Sequence, residues 1–143
     1  MSTYLIVSNH TTDSYELTSI LRRTHASDPN AEFVLLVPAP PVDRIARGHE
    51  SSLRDVSRHV ATRAASSLRE AGFTIRWTVV TDATPLVALE TEVRDHPGEY
   101  AGLVVATLPE QRSRWHDSYL LQQAESLGLP VAHVVEDVEY AVG

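Results

Sequence analysis

Five short apolar runs alternate with amphipathic segments along the whole chain, and this alternation limits the possible folds more than any other feature. The runs are residues 4–8, 33–37, 74–81, 103–106 and 131–135. Each has the length of a strand rather than of a helix. Between them, apolar residues recur every three or four positions. Leu17, Ile20 and Leu21 form one set, and Leu53, Val56, Val60, Ala64 and Leu68 a second. Leu86, Leu89 and Val93 form a third, and Leu121, Ala124 and Leu127 a fourth. That spacing places each set on one face of a helix. The order β-α-β-α-β-α-β-α-β predicts a doubly wound α/β fold: a five-stranded parallel sheet with helices on both faces. Right-handed crossovers leave few other ways to wind it.

Local signals mark the element ends. Asp13 with Glu16 three residues on is a capping box. Asp28-Pro29-Asn30 is a turn, and Gly72 and Gly128 stand where helices stop. Thr84-Pro85 caps and starts the third helix, which His96-Pro97-Gly98 ends. Residues 74–81 alternate, with Ile75, Trp77 and Val79 toward one face and Thr74, Arg76, Thr78 and Val80 toward the other. This predicts an edge strand with one less-covered face. At 143 residues, with neither linker nor internal repeat, the expectation is a single domain over residues 1–143.

Composition removes several function classes. The net charge is −7, which argues against binding a nucleic-acid backbone. All twelve basic residues are arginine, so a lysine Schiff base and a P-loop lysine are excluded. There is no cysteine, hence no disulfide, thiolate metal site or thiol nucleophile. No apolar stretch reaches the roughly 18 residues of a membrane span, and residues 1–7 lack a basic leader region. A cytoplasmic location with no membrane partner is expected. The seven histidines include no pair at i, i+4 on one helix, so no metal is expected. Ser8, Ser113 and Ser118 lack a nucleophile-elbow context, and the expectation is a protein that is not an enzyme.

In an open parallel sheet, ligands bind at the carboxyl ends of the strands where the winding reverses. That geometry selects Ser8, Asn9 and His10 after the first strand, Val37 at the end of the second, and Thr107, Arg112, Ser113, Arg114 and Ser118 after the fourth. Two arginine forks can grip phosphate or carboxylate without any glycine cradle. The plainer reading makes Arg112 and Arg114 solvated loop residues and His10 a polar loop histidine. Trp115 beside them reads as a lid on the core rather than a stacking platform.

Four stretches together resemble the universal stress proteins. They are Ser8-Asn9-His10-Thr11, Asp82-Ala83-Thr84-Pro85, the run from Ala106 to Trp115, and Gly128-Leu129-Pro130-Val131. The resemblance implies an adenine-nucleotide alpha hydrolase-like domain with sheet order 3-2-1-4-5, and ATP or AMP as ligands. It also implies a homodimer paired through the fifth strand. Val131, His133 and Val135 would be central to that contact, with Tyr140 reaching across. The alternative is a tail folded back over its own edge.

Departures from the family pattern fall in the cleft. Asn9 stands where the family has an adenine-contacting Asp. The family's phosphate cradle is glycine-rich because glycine lets phosphate approach the backbone amides. This chain has no glycine between Gly102 and Gly128, and Thr107 and Glu110 fall at the cradle positions. Val37 would still offer its backbone to an adenine edge, and Ser118 would take the place of the closing Ser or Thr. The resulting expectation is a stress-protein-like, non-catalytic module with a degenerate nucleotide cleft for a small anionic or nucleotide-like ligand. Two alternatives stand beside it: an ATP- or AMP-binding stress protein with weak ATPase activity, and a protein–protein interaction module with no ligand.

Overall fold

A computed structural model describes residues 2–8, 15–38, 50–81, 85–107 and 117–135 of the chain. The strands are β1 (Thr3–Val7), β2 (Glu32–Pro38), β3 (Ile75–Thr81), β4 (Tyr100–Thr107) and β5 (Val131–Val135). The helices between them are α1 (Tyr15–Ser27), α2 (Glu50–Glu70), α3 (Pro85–Asp95) and α4 (Asp117–Ser126). The strands form one sheet in the order β3-β2-β1-β4-β5, and every pairing is parallel. The doubly wound fold expected from the alternation is the one observed.

The two sides of the sheet carry separate cores. Ile6, Phe33, Leu35, Val37, Val104 and Val134 face one side, where α1 contributes Leu17 and Leu21 and α2 contributes Ala61, Ala64, Ala65 and Leu68. Leu5, Val7, Val34, Leu36, Leu103 and Val105 face the other, packed by Ala88 and Leu89 of α3 and Ala124 of α4. Successive strand residues thus enter opposite cores, so the strands read as continuous apolar runs. Burying each large side chain contributes about 1.5–3 kcal/mol before the cost of chain entropy. Small alanines let α2 sit close to the sheet. Gly72, after α2, has φ 102°, a left-handed turn that stops the helix.

One sequence reading needs correction. Ile75, Trp77 and Val79 do not share a face. Ile75 and Val80 belong to the α1–α2 side, whereas Trp77 and Val79 pack on the α3–α4 side. The reason is a bulge. Phe33 pairs with Ile75 but Val34 pairs with Trp77, leaving Arg76 as an extra residue on β3. One inserted residue reverses the face of everything after it. A second irregularity lies at the same end of the sheet, where Thr3 pairs with Tyr100 but Tyr4 with Gly102, so Ala101 is extra. The edge position expected for β3 holds, because only β2 pairs with it.

Candidate functional site

At the sheet's carboxyl end the central strand is the first to stop. Val7, the last residue of β1, lies opposite Leu36 on β2 and Val105 on β4. Both neighbours continue for two more residues, β2 through Val37 and Pro38, β4 through Ala106 and Thr107. The outer strands keep pace, since Pro38 pairs with Thr81 and Thr107 with Val135. The central strand therefore stops short of all four others. At about 3.3 Å per residue, the step is roughly 6–7 Å deep. It lies between β1 and β4, where the winding reverses and the chain runs to helices on opposite faces.

Ser8 follows the last residue of β1 at this step. It is fully buried, and its N–H donates to the Leu36 carbonyl at 3.1 Å, so the backbone stays tied to β2. Val37 lines the β2 wall. The residue is 2% exposed, and its side chain belongs to the α1–α2 core. Thr107 ends the β4 wall as a strand residue paired with Val135. The backbone is thus extended at a point where the family resemblance implied glycine. Ser118 lies in the first turn of α4. Asn9, His10, Arg112, Ser113, Arg114 and Tyr140 lie outside the described residues. The structure thus places Ser8, Val37 and Thr107 at the carboxyl ends of β1, β2 and β4, and Val131, His133 and Val135 on β5, the last strand in the sheet order.

The opposite end of the sheet holds a polar cluster that the sequence reading did not single out. Glu92 of α3 is only 7% exposed. Its Oε2 accepts a bond from the Tyr100 hydroxyl at 2.6 Å and faces Nδ1 of His96 at 3.2 Å. The same Nδ1 lies 3.1 Å from the Glu92 carbonyl oxygen. Both neighbours are acceptors, so this nitrogen carries a proton. His96 packs against Trp77 with ring centroids 5.7 Å apart, and Arg76 lies over the Trp77 ring at 4.7 Å. Arg76 also reaches Glu32 at 3.5 Å, Glu99 at 3.8 Å and the Thr3 hydroxyl at 3.3 Å. Burial first, then the bond to Glu92 and the negative charges of Glu92 and Glu99, push the Tyr100 hydroxyl well above the usual tyrosine range, against an opposing pull from Arg76. One signal was available in the sequence: Glu92 falls three residues after Leu89 and four before His96, on the apolar stripe of α3.

Among the described residues no group of three His, Asp or Glu side chains is placed to hold a metal ion, and no helix is long and apolar enough to cross a membrane.

A five-stranded parallel sheet in this order, wound on both faces, defines a doubly wound α/β architecture. Within that class the chain is similar in fold to a universal stress protein from Archaeoglobus fulgidus. The two superpose with a TM-score of 0.61 over 94% of this chain and 93% of that one, at 10% sequence identity. No protein-family model matches the chain, and no curated protein sequence does. The likeness is therefore one of fold: the chain is a module of universal-stress-protein-like architecture.

Proposed function

We propose that this module is a non-catalytic binding protein whose notch takes a small anionic or nucleotide-like ligand. The observation that carries the proposal is that β1 ends two residues before β2 and β4, at the switch point of the sheet. The fold likeness over nearly the whole of both chains supports it. Two features argue against a tight triphosphate cradle. No glycine occurs from residue 103 to residue 127, and Thr107 is held extended by its pairing with Val135. Extended backbone does not curl its amides around a phosphate. Arg112 and Arg114, within ten residues of the notch along the chain, are the proposed anion grips.

Thermal-shift measurements with ATP, ADP, AMP and inorganic phosphate test this reading. A ligand present at a hundredfold excess over its dissociation constant stabilises by about 2.7 kcal/mol. AMP or phosphate is expected to raise the melting temperature, and Arg112→Ala with Arg114→Ala is expected to reduce the rise. No rise with any of the four would defeat the binding reading and favour the interaction module. Phosphate release from ATP that disappears in Asn9→Ala would instead favour a weak ATPase.

The proposal extends to a homodimer paired through β5. Among the described residues that strand pairs with β4 alone, and the proposal has a second copy pair with its other side. Sedimentation at micromolar concentration is expected to give twice the chain mass. A single-chain mass at all concentrations would remove this part of the proposal.

A further inference from the structure

We draw no further inference here: the strongest candidate, the half-buried apolar patch of Trp77 and Val79 on the α3–α4 side of the edge strand β3, carries none, because nothing among the described residues shows what covers it.

Discussion

The two ends of this sheet are built on opposite plans. At the carboxyl end the middle strand stops two residues before its neighbours, and Ser8, which follows it, is fully buried. At the amino end two strands carry extra residues, and side chains close the rim: Arg76 spans from β3 to Glu32, Thr3 and Glu99, while Glu92, His96 and Tyr100 tie α3 to β4. The contrast teaches a division of labour. Under the proposed function, the strand ends at one end serve a ligand, while polar groups satisfied internally at the other stabilise the fold.

Substitutions sharpen this contrast in order of size. Phe33→Ala strikes the core just behind the closed end, where the ring packs against Tyr4 and Phe73 at 5.9 Å each. A loss of about 3–5 kcal/mol is expected in chemical denaturation. Tyr100→Phe takes the short hydrogen bond from a buried carboxylate and should cost about 1–3 kcal/mol. Arg76→Met removes a strap whose partners are partly solvent-exposed. It should cost under about 1 kcal/mol, and raised salt should shrink the loss further. None of the three is expected to alter the thermal shift produced by AMP or phosphate, because all act at the end away from the notch. A variant that folds but loses that shift would break the division.

Alkaline titration probes the closed end in another way. The folded Tyr100 hydroxyl ionises well above the usual range, whereas in the unfolded chain it ionises near 10. The group therefore stabilises the fold below about pH 10 and ceases to do so as pH rises further, since the unfolded chain releases its proton first. Absorbance at the tyrosinate band should include a component that appears only when the protein unfolds, and Tyr100→Phe should remove that component.

The fold was legible because its signals are periodic. Leu86, Leu89 and Val93 mark α3 by their spacing alone, and residues 131–135 bound β5 as observed. The face of Trp77 was not legible. Alternation counts residues, and nothing local shows that Arg76 is an insertion until β2 lies beside it. The strand ends followed from topology, and Ser8, Val37 and Thr107 stand at those of β1, β2 and β4. The closed end went unread for a different reason. Glu92 reads as one more surface acid until burial and Tyr100, eight residues on, show that it is held inside. Partnership between side chains from different elements has no short-range period.

An amide NMR titration with AMP tests the division between the two ends most directly. The account predicts that resonances of Ser8, Val37 and Ala106 move with added AMP while those of Arg76, Glu99 and Tyr100 stay in place. Movement confined to the second set, or none in the first at millimolar AMP, would contradict it.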